Sequence, residues 1–190
     1  MALPVDPALL PTVLVLASGR GERFTASGGR VHKLQADLAG KTVLQRTLDA
    51  VRASGLRWHL EDTGHAGMGD SIAAAVHATR DAAGWLILPA DLPLVASQTL
   101  LELATSNPDA GVLVPTFEGQ RGHPVRFARA CGDALAGLSG SRGAGILFSR
   151  FQVVERPVHD RGCVTDIDTL QDLADAVQLF HAKRLLSGCN

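Results

Sequence analysis

The 190-residue chain contains no tyrosine, and Phe and Trp together make up only 4% of it. Platforms that stack the bases of a single strand need aromatic faces, so that function is disfavoured. Positive charge is not in surplus either: 18 Lys+Arg face 19 Asp+Glu, a formal net charge of −1. Binding a nucleic-acid backbone needs a basic excess, and no nucleic-acid partner is expected. Cysteine is scarce: Cys131, Cys163 and Cys189 are odd in number, widely spaced and form no Cys-x-x-Cys. A disulfide framework and a zinc knuckle are both excluded on that pattern. No apolar stretch approaches the ~20 residues that cross a bilayer, so no membrane partner is expected. Met1 to Thr12 has neither the cationic start nor the apolar run of a secretory leader, and a cytoplasmic location is expected.

What is present suits a folded core. Hydrophobic residues make up 46% and charged residues 19%, and the length suits one domain. Val13-Leu14-Val15-Leu16 and Trp85-Leu86-Ile87-Leu88 are unbroken apolar runs of strand length, the mark of strands buried on both faces. Val112-Leu113-Val114, Pro124–Phe127 and Gln152-Val153-Val154 read as further strands. Val43, Leu44, Thr47, Leu48 and Val51 share one helical face, which Ser54-Gly55 ends. Ile72 and Val76 mark a helix after Gly69. Leu100, Leu101 and Ala104 mark another, with Ser97 as its expected cap. Helical patterns also cover Ala130–Leu138 and Ala144–Arg150, and Thr169 with Asp172 opens a last helix in the manner of a capping box. Alternating strands and helices predict an α/β fold, Rossmann-like and three-layered (α/β/α), with a mainly parallel sheet. Ligands of such sheets sit beyond the carboxyl ends of the strands, which points to the chain after Ala17, after Ala90 and around Thr165.

Ala17-Ser18-Gly19-Arg20-Gly21-Glu22-Arg23 follows the first strand directly. Gly19 and Gly21 permit close backbone approach, loop N–H groups can face phosphate oxygens, and Arg20 or Arg23 can add charge-assisted bonds. It is not a dinucleotide fingerprint, because Phe24 stands where the third glycine belongs. Nor is Gly40-Lys41-Thr42 a Walker loop, since Gln35 replaces its first glycine. Lys33 lies ten residues beyond Arg23 and can reach back to a phosphate as a point charge. Asp91, between prolines after the second long strand, is placed to hold a hard cation or to form a turn. Asp166 and Asp168 alternate like strand residues and so share a face.

The combined pattern resembles the pyrophosphorylase-type nucleotidyltransferases, and within them the MobA-like branch, closest to the molybdenum cofactor cytidylyltransferases. Five ordered blocks carry the likeness: Leu16 through Arg23 with Lys33; Gly67-Met68-Gly69-Asp70-Ser71; Leu88 through Val95; Gly119 through Val125; and Asp166-Ile167-Asp168-Thr169. The resemblance implies the nucleotide-diphospho-sugar transferase fold and transfer of a nucleoside monophosphate from an NTP, with CTP preferred over GTP. The phosphorylated acceptor it implies is molybdopterin. Lys33, Arg23 and Asp91 would be catalytic. Leu16, Ala17, Ser18, Gly19, Arg20, Gly21, Gly69 and Ser71 would bind nucleotide, and Arg121, His123, Arg142 and Asp166 the acceptor. Asp91 and Asp168 would hold Mg²⁺, for which Mn²⁺ could substitute. Residues 1–118 would form the nucleotide part and residues 119–190 the acceptor part with the C-terminal helix.

Against that family, Ser141 and Gly145 replace an expected aspartate and arginine, and one βα unit is missing or reduced to a single strand near residues 56–66. Rival readings are a guanylyltransferase, transfer to a sugar phosphate or phospholactate, and a non-catalytic accessory protein serving a molybdoenzyme client. A monomer or a homodimer is expected. His32, His59, His65, His77, His159 and His181 show no metal spacing and are read as structural or surface residues.

Overall fold

The computed structural model describes residues 9–106 and 111–187. Cys189 and the first eight residues of the Met1–Thr12 stretch lie outside them. The strands are β1 (Thr12–Leu16), β2 (Asp37–Leu38), β3 (Lys41–Thr42), β4 (Trp58–Glu61), β5 (Gly84–Pro89), β6 (Val112–Phe117), β7 (Gln120–Arg121), β8 (Val125–Ala128) and β9 (Val153–Pro157). The helices are α1 (Glu22–Ala26), α2 (Val43–Ala53), α3 (Met68–Ala78), α4 (Ser97–Thr105), α5 (Gly132–Ala136) and α6 (Leu170–Ser187).

The unbroken apolar runs have a simple cause: the central strands feed two cores at once. Val13 and Val15 of β1 enter one core, and Leu14 and Leu16 enter the other. In β5, Leu86 and Leu88 oppose Trp85 and Ile87 in the same way. Period-two alternation makes both faces apolar, so both must be covered. α2, α4 and α6 cover the first face through residues such as Leu48, Leu103 and Ala176. α3 and α5 cover the second through Ile72, Val76 and Leu135. The result is the three-layer α/β/α arrangement.

Among the described residues the main sheet has seven strands in the order β4-β1-β5-β8-β6-β7, with β9 also paired to β6. β4 and β5 flank β1 in parallel, and β9 runs parallel to β6. β8 is antiparallel to both β5 and β6, and β7 is antiparallel to β6. All but β7 and β8 therefore point the same way, so the sheet is mixed but mainly parallel. The reversed β8 brings its entry residue His123 to the edge where β1 and β5 end.

Between α2 and α3 there is one four-residue strand, β4, which is the reduction expected near residues 56–66. α2 begins with a capping box: the Gln45 N–H donates to Thr42 Oγ1 at 3.1 Å and the Thr42 N–H to Gln45 Oε1 at 2.9 Å. Thr169 and Asp172 pair reciprocally at the start of α6, as their spacing predicts.

Ser97 does not cap α4. The N-cap is Ala96, with no side-chain cap bond, and its own N–H donates to Asp160 Oδ2 at 2.8 Å. The helical pattern at Ala130–Leu138 narrows to a 3-10 turn (Arg129–Cys131) plus α5, and Ala144–Arg150 becomes a 3-10 turn over Ala144–Ser149. Glycines at 132, 137, 143 and 145 weaken helix there. Asp166 and Asp168 do not lie on a strand. Their segment is irregular and is pinned by the Ile167 N–H, which donates to the Asp91 carbonyl at 3.0 Å.

Candidate active site

The carboxyl ends of β1 and β5 open onto a cavity of about 420 Å³. Leu16, Gly19, Arg23, Lys33, Asp91, Arg121, His123, Asp166 and Asp168 all line it. At its centre the Lys33 ammonium donates to Asp91 Oδ2 at 2.6 Å and to Asp168 Oδ1 at 2.9 Å. The Arg23 guanidinium reaches the other Asp168 oxygen at 2.7 Å. Residues 58 and 135 positions from Lys33 thus meet on one nitrogen.

Several local devices set this geometry. Gly21 has φ +66°, the left-handed turn that starts α1 and folds the loop back over Lys33. His32 fastens the loop: its Nε2 bonds the Gly19 carbonyl at 2.8 Å while its Nδ1 accepts from the Leu34 N–H. These bonds select the tautomer with the proton on Nε2. Asp91 follows β5 in a stiff Pro-flanked turn, and the Ile167 bond to its carbonyl ties that turn to the Asp168 segment.

The electrostatics follow from crowding. Burial pushes the Lys33 pKa down, but the charges and hydrogen bonds of Asp91 and Asp168 outweigh it, and the net shift is upward. Burial pushes Asp168 up, yet Lys33 and Arg23 hold its carboxyl below the usual range. Asp166 has the reverse fate: burial and the neighbouring Asp168 and Asp91 charges raise it. Burial lowers the His123 pKa, so the imidazole is neutral near pH 7. Burial and the Asp160 charge push the Cys163 thiol up to about 11, so it is a poor nucleophile.

The remaining candidate residues sit around this centre. Gly21 and Arg20 line a smaller depression beside Gly19 and Lys33, and Arg20 is 75% exposed with Glu22 at 3.8 Å. Ala17 uses its N–H on the Glu61 carbonyl at 2.8 Å. Ser18 bonds the Ser71 hydroxyl, which ties the loop to α3. Gly69 and Ser71 are buried, and the Gly69 N–H donates to the Gly140 carbonyl at 2.8 Å, so that donor is already committed. Arg121 is exposed and paired with Glu155 at 2.7 Å. Arg142 is exposed and lies outside the polar cavity, next to Gly143.

His32, expected to be a structural or surface residue, has a structural task in the loop itself. Sequence reasoning missed two contributors. Asp160, 5% exposed, accepts from Ala96, Thr99, Gly162 and Lys183, and so fixes the segment that carries Asp166 and Asp168. Nothing local marks it. Glu61, at the end of β4, is buried among His59, Thr63 and His65; burial raises its pKa, but their hydrogen bonds bring it below the ordinary value.

The donors suit a hard divalent cation. Asp91 Oδ1 is buried and lacks a hydrogen-bond partner, an orphaned oxygen on the wall of the cavity. Among the described residues no group of three or more His, Cys, Asp or Glu side chains is arranged to hold a metal.

Comparison with known proteins agrees with the fold. A MobA-like NTP transferase domain matches residues 49–156. No curated protein matches the sequence. Among solved structures, a nucleotidyl transferase from Methanothermobacter has a TM-score of 0.77 at 18% identity, covering 92% of this chain and 99% of its own. Rv0371c from Mycobacterium tuberculosis H37Rv, in complex with manganese, has a TM-score of 0.69 at 24% identity, covering 88% and 97%. Molybdopterin-guanine dinucleotide biosynthesis protein A from Archaeoglobus fulgidus has a TM-score of 0.66 at 21% identity, covering 90% and 99%. At these identities the likeness fixes the fold and nothing finer.

Proposed function

The chain belongs to the MobA-like NTP transferase family, and as a nucleotidyltransferase of that family we propose that it transfers the cytidylyl group of CTP to the phosphate of molybdopterin. The observation that carries this reading is the meeting of Lys33, Asp91 and Asp168 under a glycine loop at the end of β1. An acceptor phosphate oxygen attacks the α-phosphorus, the new P–O bond forms as the α–β bridge breaks, and pyrophosphate leaves with the electron pair. Little covalent work remains for the protein, so alignment and charge neutralisation supply most of the catalysis.

Gly19, Arg20 and Gly21 would cradle the triphosphate, with Lys33 and Arg23 supplying positive charge. Asp91 and Asp168 would hold Mg²⁺, or Mn²⁺ in its place. When bound, that cation neutralises charge on the phosphates and helps align the two substrates. Arg121, His123 and Asp166 would face the acceptor, with Arg142 at the margin. The division of labour places the nucleotide with residues up to 118 and the acceptor with residues beyond. The preference for CTP rests on the resemblance of the Arg121–Pro124 and Asp166–Thr169 blocks to the cytidylyl branch.

The test is pyrophosphate release from CTP, GTP and ATP with molybdopterin and Mg²⁺ present. Release from CTP first is expected. Release from none of the three would contradict the reading and favour a non-catalytic accessory role.

A further inference from the structure

Of the buried α2 residues Val43, Thr47, Leu48 and Val51, Thr47 alone is polar. It is 0% exposed. An apolar side chain would suit that core better, and threonine is a weak helix former, so the hydroxyl needs a partner that repays its burial. It has two acceptors within reach: the Ala90 carbonyl at 2.9 Å and the Val43 carbonyl at 3.2 Å. The Val43 contact is the ordinary back-bond of a helical threonine. A hydroxyl has one proton, and the shorter of the two contacts is the one that leaves the helix.

Ala90 stands between the end of β5 and Asp91. Pro89 is the last β5 residue in register with β1, so the next peptides must find partners outside the strand ladder. They find them on three elements. The Ala90 N–H donates to the Leu16 carbonyl of β1 at 3.0 Å. The Ala90 carbonyl accepts from Thr47 of α2. The Asp91 carbonyl accepts from the Ile167 N–H at 3.0 Å. Thr47 therefore grips the rigid peptide plane that joins Ala90 to Asp91, and rotation of that plane turns the Asp91 side chain. One Asp91 oxygen is on Lys33 and the other, Oδ1, is buried without a partner, so a small turn changes which oxygen faces the cavity.

Resting on the reading of Asp91 as a cation ligand, we propose that Thr47 is a positioning residue: its hydroxyl fixes the Ala90–Asp91 peptide and through it aims the Asp91 carboxylate at the cation. Thr47 does not line the polar cavity and acts through that backbone alone. Its loss raises the concentration of cation needed and leaves the triphosphate contacts of the glycine loop in place.

Equilibrium dialysis of α,β-methylene-CTP across a range of Mn²⁺ concentrations tests this, the readout being the Mn²⁺ concentration at half-saturation. Thr47→Val keeps the shape and removes the donor. It should raise that concentration about tenfold, the scale of losing a group that orients a metal ligand, and saturating Mn²⁺ should restore binding of the analogue. Thr47→Ala, which cannot overpack the core, should do the same. Thr47→Ser keeps the hydroxyl and should stay near the wild-type value. Ser54→Ala controls for simple destabilisation: it removes another buried hydroxyl, at the end of the same helix, whose partners are Val51 and Leu56. It should leave the half-saturating concentration unchanged. Wild-type values in Thr47→Val and Thr47→Ala would overturn the proposal, as would an equal rise in Ser54→Ala or in Thr47→Ser. Failure of the wild-type protein to bind the analogue at any Mn²⁺ concentration, or wild-type values in Asp91→Asn, would instead overturn the reading of the polar site.

Discussion

Lys33 is only 11% exposed at its side chain, and two carboxylates share its ammonium. Such a lysine cannot be a solvated surface charge, and its removal takes the ammonium from Asp91 and leaves Asp168 paired with Arg23. Lys33→Ala is therefore expected to weaken triphosphate binding and to lower kcat/KM by about 100-fold or more, the scale of losing one preorganised charge donor. Steady-state kinetics across CTP concentrations check it, and an unchanged KM and kcat would remove Lys33 from the mechanism. Asp91→Asn preserves shape but weakens a hard-cation ligand, and it is expected to abolish turnover with the fold intact. Circular dichroism and pyrophosphate release, read together, decide that, and wild-type rates would remove Asp91. The sequence made these three residues legible because each stands beside a local marker: a glycine loop, a Pro-flanked turn, a helix start. Asp160 had no such marker. Its partners Ala96, Thr99 and Lys183 are set by tertiary contact alone.

At the scale of elements, the active edge depends on how irregular segments are pinned. The stretch from Asp160 to Asp168 has no strand to hold it. It is fastened by the Asp160 carboxylate at one end and by the Ile167–Asp91 backbone bond at the other. Asp160→Ala removes a buried acceptor from the start of α4 and from Gly162, at an expected cost of about 3 kcal/mol. Urea unfolding monitored by fluorescence checks this, and a change below about 0.5 kcal/mol would contradict the pinning role. The helices were readable where a hydrophobic face and local caps coincide, as in α2, with Thr42 and Gln45 at one end and Ser54-Gly55 at the other. They were misread where glycine is dense, in 129–150, because periodicity persists there while helix propensity does not. Ser97 failed as a cap because it is already the first residue of α4, one position inside the Ala96 cap.

For the whole molecule, unbroken apolar strands forced two covered faces, and with them the three-layer architecture. That inference needed only the period of the side chains. The reversal of β8 was not legible, since strand direction is set by how the chain returns from β7 and not by residue pattern. Yet the reversal carries His123 to the edge where β1 and β5 end, beside the candidate site. The reduced segment between α2 and α3 leaves β4 as a four-residue edge strand, with Trp58 39% exposed and the Arg52 guanidinium 5.5 Å from its ring.

In the proposed reading, residues far apart in the chain converge on a single polyphosphate and its cation. Anomalous diffraction from crystals soaked with MnCl₂ and α,β-methylene-CTP tests it most directly. The predicted result is one strong manganese peak within coordination reach of Asp91 and Asp168, with triphosphate density lying along Gly19 to Gly21. A peak away from both carboxylates, or a triphosphate elsewhere on the surface, would contradict it.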